Sequence, residues 1–377
     1  MRGFSSSSMG LARTLAVRAA TLVILLFIVL FVISFALAGP ASKILKDEIM
    51  METKSIIMQL MLHGHYNSTQ IQQLQTQIMT ELENAYGLNK PPAIRTLYIM
   101  YNMLVFNWGY SYFPSEYGNI GGGKVVDIIL SALPGTILLD TFGILLSAFI
   151  GIEIGLRSAL KYGSKSDRAV MYYAALSNGI PQWWLGIVML LVFSFYLAQI
   201  HSPIYFPTGG IISPKYYELW LTDPIKVFAI PQAVLDLLWH LTLPLVTVLI
   251  INIGGWAYFA RTVVLNISQE DFVTFAKTKG LPEGHVVNRY ILRPAAPSIL
   301  TSVFITIPFI IFGGFLVTEM VFHWWGLGYV YNIAIVQSPT PDLPVVVALT
   351  YASTLLYIVI IFIMEIVYIM LDPRLRE

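Results

Sequence analysis

An all-α integral membrane protein with six transmembrane helices is what this sequence predicts, and three observations carry the prediction. Apolar residues fill 56% of the 377 positions and charged residues only 11%, where soluble domains run to roughly a quarter charged. Uncharged stretches of about 20 residues, enough to cross a bilayer as a helix, recur along the chain. Each ends at a charge cluster or a Gly/Pro-rich turn. Six crossings would use ~120 positions, which leaves length for loops, helix extensions and one sizeable domain outside the bilayer.

Residues 1–38 read as an amino terminus and first span. Ala19 to Ala38 is free of charge, preceded by Arg13 and Arg18 and followed by Gly39-Pro40. Ala36-Leu37-Ala38 has the small-residue pattern of a signal-peptidase site, yet the apolar stretch exceeds the usual h-region of ~7 to 15 residues, so retention as an anchor is expected. Residues 39–131 are polar enough to form a separate helical domain. Lys43 to Met61 and Ser68 to Tyr86 read as a helical hairpin, the second helix with Ile71, Leu74, Ile78, Leu82 and Ala85 on one face. Its glutamine-rich face reads as a solvated surface.

Residues 132–377 supply the other five spans. Leu130 to Ile152 is interrupted only by Asp140. Ala169 to Ile200 is uncharged for longer than one crossing needs, and Ile180-Pro181 divides a lead-in helix from the span proper, because proline lacks an amide donor. Leu241 to Ala260, Ile299 to Thr318 and Val345 to Met364 complete the six. A carboxylate inside hydrocarbon costs ~2.5 to 3.5 kcal/mol on insertion scales, so Asp140 is a candidate pore-lining or polar packing residue. Glu153, Glu319 and Glu365 lie near span ends, where structural roles are expected.

Orientation follows from the basic residues. If loops alternate sides, fourteen of the 22 fall on the side holding the amino terminus, the segment 157–168, the connection 261–297 and the tail. Six of the remaining eight sit in the long segment after the first span, where the positive-inside rule has little force. Both termini are therefore expected in the cytoplasm and residues 39–131 outside. Asn67-Ser68-Thr69 is then a glycosylation sequon on the outer side, and Asn266-Ile267-Ser268 a silent one on the inner side.

The connection 261–297 is the most informative. Asp271-Phe272-Val273-Thr274-Phe275-Ala276-Lys277-Thr278-Lys279 reads as a short helix ended by Gly280, with a second helix opening after Leu281-Pro282-Glu283. Two short helices joined by a glycine turn make a knob, and spans on either side anchor it.

Other patterns point to little. Gly118-Asn119-Ile120-Gly121-Gly122-Gly123-Lys124 approaches a phosphate-binding loop, but Val125 stands where a magnesium-binding hydroxyl belongs and no strand precedes it. His63-Gly64-His65 fits no metal spacing. Without cysteine there is no thiolate chemistry, and a net charge of +1 offers no surface for nucleic acid. No catalytic set and no paired carboxylates in an apolar cleft are expected. A channel or ion-driven carrier would show a filter ring, a charged relay or broken inverted repeats, and Asp140 alone gives that class weak support.

In its particulars the sequence is similar to the transmembrane permease subunits of ATP-binding-cassette importers, in particular the first permease of the dipeptide/oligopeptide class. Ala276-Lys277-Thr278-Lys279-Gly280-Leu281, with Arg289 and Arg293, resembles the coupling loop of that class. Asn107-Trp108-Gly109-Tyr110-Ser111-Tyr112, Leu133-Pro134-Gly135-Thr136, Ile180-Pro181-Gln182-Trp183-Trp184-Leu185-Gly186, Glu319-Met320-Val321-Phe322 with Gly326-Leu327-Gly328, and Leu371-Asp372-Pro373-Arg374-Leu375-Arg376 resemble its other signatures. Tyr86-Gly87-Leu88-Asn89-Lys90-Pro91 resembles its external segment. Phe275 and Trp325 depart from the pattern, standing where a small residue and a proline are usual. The resemblance implies the type I importer fold in a prokaryotic inner membrane. It also implies a second homologous permease, two cytoplasmic ATPase subunits that hold the ATP and magnesium, and an extracellular substrate-binding protein. No cofactor is expected on this chain. Ala276, Lys277, Lys279, Gly280, Leu281, Glu283, Arg289 and Arg293 become the candidate ATPase-coupling residues. The implied cargo is di- or oligopeptide, with oligosaccharide as the alternative.

Overall fold

A computed structural model describes residues 3–38, 46, 49–50, 53–54, 56–58, 61, 67–85, 88, 90–309 and 316–371. Most of the expected helix 43–61, the His63/His65 pair, positions 86, 87 and 89 of the external motif and residues 372–376 of the terminal signature lie outside the described residues. So do residues 310–315, in the middle of the expected span Ile299 to Thr318.

The regular secondary structure among the described residues is helical, apart from one isolated antiparallel bridge between Tyr110 and Lys124. Helix α1 is Gly3–Ala38, α2 is Ser68–Ala85 and α3 is Pro92–Leu104. Helix α4 runs Val125–Leu160, α5 is Lys165–Gly179 and α6 is Gln182–Gln199. After two short helices, α7 (Pro214–Thr222) and α8 (Pro224–Val227), comes α9, Pro231–Ser268. Helix α10 is Asp271–Thr278, α11 covers 283–309, α12 is Leu316–Val321, α13 is Leu327–Asn332 and α14 is Leu343–Leu371. Five helices among the described residues are long and apolar enough to span a membrane: α1, α4, α6, α9 and α14. As expected, the chain leaves helix after Gly179 and re-enters it at Gln182, with Pro181 at the break.

Two helices set the frame. Helix α4 has 36 residues and α9 has 38, so at 1.5 Å per residue each is roughly 55 Å long. That exceeds the ~30 Å hydrocarbon layer, and part of each must stand in headgroups or water. They pack at backbone distance. A Cβ on Gly151 would fall 2.5 Å from the Trp256 Cβ and 2.7 Å from the Ile253 carbonyl oxygen, and one on Gly155 would strike the Ala257 carbonyl. Gly151 and Gly155 are one GxxxG pair on α4, the small-residue spacing that lets membrane helices approach closely. Gly155→Ala should lower stability by about 1–3 kcal/mol, the usual effect of overpacking. Thermal melting of the detergent-solubilised protein checks this, with Gly179→Ala, where nothing lies within 4 Å, as the unaffected control.

The segment between α3 and α4 is pinned rather than loose. Seven of its residues, Phe106, Gly109, Gly118, Asn119, Gly121, Gly122 and Gly123, have left-handed backbone. The Ser111 amide donates to the Gly123 carbonyl (2.8 Å) and the Val125 amide to that of Gly109 (3.1 Å). The Ser111 hydroxyl donates to Asp342 at the start of α14 (2.5 Å), and Trp108 stands edge-on to Tyr351, 6.0 Å between ring centres. The near-phosphate-loop sequence is therefore a structural turn. The carboxylate of Asp127 stands against Gly121, where a phosphate would be repelled.

Candidate functional site

The knob forms as the sequence predicts. Helix α10 carries Asp271 in its first turn and Lys277 in its last, each favourable to the helix dipole. Gly280 follows with φ +69°, a left-handed conformation that costs other residues a steric penalty. Its amide donates to the Lys277 carbonyl (2.9 Å). Pro282 then precedes α11, whose first turn closes through the Val286 amide to the Pro282 carbonyl (3.1 Å).

The inner face of the knob is apolar and seated. Val273 and Ala276 join a cluster with Ala159 of α4, Ala260 and Val264 of α9, and Val286 and Ile291 of α11. Of the candidate coupling residues, Lys277, Lys279, Gly280, Glu283, Arg289 and Arg293 are exposed, Leu281 is half-buried and Ala276 is buried. Ala276 thus seats the knob, and the charged side chains face away from it. The sequence reading missed two neighbours. Phe272 is 44% and Phe275 60% exposed, and the Lys279 ammonium lies 4.3 Å from the Phe275 ring centre. The helical period alone would not have found Phe272, which stands four positions from buried Ala276 and so on the same side of the helix.

A buried ion pair ties together the helices on which the knob is seated. Arg261 near the end of α9 donates two hydrogen bonds to Asp167 in the first turn of α5, Nε to Oδ1 at 2.5 Å and a terminal nitrogen to Oδ2 at 2.9 Å. The Ser158 hydroxyl of α4 (2.6 Å) and the Gly163 amide (3.0 Å) complete the carboxylate's partners. The Arg261 guanidinium holds the Asp167 carboxyl well below the usual carboxylate range. Three helices therefore meet at one charge-assisted junction, and one of them, α9, leads into the knob.

Deeper in the bundle, amides link three elements. Asn252 of α9 donates to Gln182 Oε1 (3.1 Å), and Gln182 donates to the Thr318 hydroxyl of α12 (2.8 Å). The next residue, Glu319, was expected near a span end; it is instead 1% exposed. It accepts from the Thr136 hydroxyl (2.8 Å) and from the Tyr329 amide (2.9 Å), and Gly326 and Gly328 pack against its carboxyl. Asp140 is 2% exposed and interacts directly with Glu319. The expectation that no paired carboxylates occur in the apolar interior is thus corrected: the two acids are 179 positions apart, and only the docking of 316–332 onto α4 brings them together. That docking is dense. Trp324 Nε1 donates to the Gly135 carbonyl (2.9 Å), Trp325 Nε1 to the Ser131 hydroxyl (3.1 Å) and the Leu327 amide to the Thr136 hydroxyl (2.7 Å). Trp325 is buried here as a packing residue.

Remaining candidates sit at the margins. Asn67 is exposed, and its amide donates to Gln70 Oε1 (3.0 Å) at the start of α2. Glu153 pairs with Arg157 on the same helix (2.7 Å) and Glu365 with Arg18 of α1 (2.5 Å). Among the described residues no cluster of three metal-ligating side chains is present.

Comparison with known proteins adds the following. The family model described as "Binding-protein-dependent transport system inner membrane component" matches residues 143–377. The oligopeptide transport system permease protein AppB of Bacillus subtilis is 30% identical over 291 residues, covering 77% of this chain and 83% of that protein. The peptidoglycan transport system permease protein YejB of Agrobacterium fabrum is 26% identical, covering 81% and 77% respectively. The metal-staphylopine import system permease protein CntB of Staphylococcus aureus is 27% identical, covering 80% and 83%.

Proposed function

The chain belongs to the family of binding-protein-dependent transport system inner membrane components, and on that premise we propose that it is one permease subunit of an ATP-driven importer of peptides. The carrying observation is the exposed knob of α10 and the Gly280 turn, seated on α4 and α9, two helices long enough to cross the bilayer and emerge from it. A loop with no load would need no such mounting. In this reading the knob is cytoplasmic, both termini share its side, and residues 39–131 face outward. The stretch 299–318 makes the sixth crossing.

Lys277, Lys279, Glu283, Arg289 and Arg293, with Phe272 and Phe275, meet an ATPase subunit; a second homologous permease occupies a second ATPase. ATP-driven closure of the ATPases carries the two knobs toward each other. Because the knob is seated on α4, α9 and α11, its displacement tilts those helices and opens the path toward an external binding protein, and hydrolysis restores the inward-open state. The cycle is a population shift between two packings, biased by ligands on either side. This chain supplies the path and the linkage, and ATP hydrolysis belongs to the partner subunits.

Peptide cargo is supported by the name of the AppB relative, an oligopeptide transport permease; the oligosaccharide alternative draws no support from it. The test is uptake in cells lacking the gene for this chain. Labelled di- and oligopeptide uptake should fall to background and return with the restored gene, and the tagged chain should co-purify with ATPase subunits. Normal peptide uptake in its absence, or solute movement by the chain without any ATPase, would contradict the proposal.

A further inference from the structure

We propose that Asp140 and Glu319 form a single proton-holding site, in which one shared proton clamps the 316–332 hairpin onto α4. An ionised carboxylate only accepts hydrogen bonds, so two in contact have no donor between them unless one is protonated. Glu319 has donors on both oxygens, the Thr136 hydroxyl and the Tyr329 amide. Asp140 does not: its Oδ1 is buried without a partner, and the neighbouring Thr141 hydroxyl is likewise unmatched. A proton on this pair supplies the missing donor.

Electrostatics point the same way. Neither carboxyl takes part in an ion pair among the described residues. The titratable neighbours are Tyr329, the His323 ring 5.9 Å from that of Tyr329, and Tyr217 against Trp325 at 6.5 Å. Helix α9 presents Leu245 and Val248 to the turn of α4 just beyond Asp140, and α6 presents the amide of Gln182 beside Thr318. Among the described residues no cation balances two negative charges here, and side-by-side buried carboxylates do not both ionise.

Local backbone sets the pair in place. Pro134 interrupts the hydrogen-bond ladder of α4, and the turn Ile137–Thr141 is π-wound, a widening common at functional positions. Asp140 lies within that turn, Thr136 precedes it, and the Trp324, Trp325 and Leu327 contacts fasten the hairpin along the same stretch. Gln182 ties the other side of the hairpin to α6. Release of the proton would set like charges against each other where the hairpin meets α4, so the clamp is alkali-sensitive, whichever cargo the importer carries.

Infrared difference spectra of the purified transporter complex at neutral pH test this, in H₂O and D₂O. Wild type minus Asp140→Asn, wild type minus Glu319→Gln and wild type minus the double variant should each show one protonated-acid carbonyl band, shifted by D₂O and equal in area in all three. No band, a band in only one single-variant spectrum, or a double-variant band equal to the sum of the two would overturn the shared proton. Replacing sodium by a bulky organic cation should leave the bands unchanged; a band that appears only after sodium removal would assign the site to a metal ion. As a second readout, the melting temperature of wild type should fall at alkaline pH, where loss of the shared proton leaves two carboxylates in contact. Asp140→Asn, whose amide donates permanently, should show a flatter profile, and an equally steep one would count against the clamp. The spectra require no transport, so the clamp and the importer reading can fail separately.

Discussion

Exchanging Gly280 for valine is expected to leave the chain in the membrane and assembled, yet to cut peptide uptake severely while ATP hydrolysis continues. The residue has φ +69° and nothing within 4 Å of an added Cβ. Steric contact with neighbours is therefore absent, and the whole effect comes from backbone strain. Holding a β-branched residue in that region costs about 1–3 kcal/mol, and a coupling free energy of that size corresponds to roughly 5- to 150-fold. The strained turn relaxes by tilting α10 against the start of α11, and the knob loses its fit to the ATPase. Gly280→Asn is the informative partner variant, because asparagine tolerates left-handed backbone; it should retain most of the uptake. Uptake and hydrolysis measured on the same preparation separate uncoupling from loss of protein, and equal uptake by the valine variant would remove the turn from the mechanism.

Asp167→Ala should be the most destabilising of the substitutions considered. It strands the Arg261 guanidinium, which is 8% exposed, without its carboxylate, and breaking a buried pair from one side costs about 3–5 kcal/mol. The melting temperature and yield of the purified complex should drop together. An Asp167→Leu/Arg261→Met double variant should recover much of that stability, since apolar replacement of a buried pair is often close to neutral. Acid gives an independent reading. Because Arg261 depresses the Asp167 carboxyl in the folded protein, the pair's contribution is fully present above the ordinary carboxylate pKa of about 3.9. It is lost as pH falls from there through the folded-state titration. The double variant should lack that part of the acid sensitivity. Recovery of stability without recovery of uptake would show that the junction transmits motion as well as holding the fold.

Local chemistry was legible in the sequence, and long-range pairing was not. The knob was readable because its determinants are adjacent: Gly280 ends one helix, Pro282 starts the next, and the structure has both. The break at Ile180-Pro181 was readable for the same reason. Gly151 and Gly155 also carry a local signature, though their contact with α9 passed unnoticed. Asp167 and Arg261 are 94 positions apart, and Thr136 and Glu319 are 183 apart; nothing in the spacing of either pair marks them as partners. Glu319 looked like a residue near a span end because its neighbours in sequence are apolar on one side and turn-forming on the other. Its burial depends on how 316–332 folds back onto α4, a tertiary event that linear periodicity does not encode. Phe275, a departure from the family pattern, proves to be the most exposed aromatic of the knob, at 60%.

The central claim is that the knob is the seat of an ATPase subunit. A photo-crosslinking side chain placed at position 275 in the assembled transporter tests it most directly, with one at exposed Tyr172 as the comparison. The account predicts that irradiation joins position 275 to the ATPase polypeptide in high yield, that position 172 gives no such product, and that the yield at 275 changes when ATP is bound. A complex that transports peptide while position 275 crosslinks to no ATPase would contradict it.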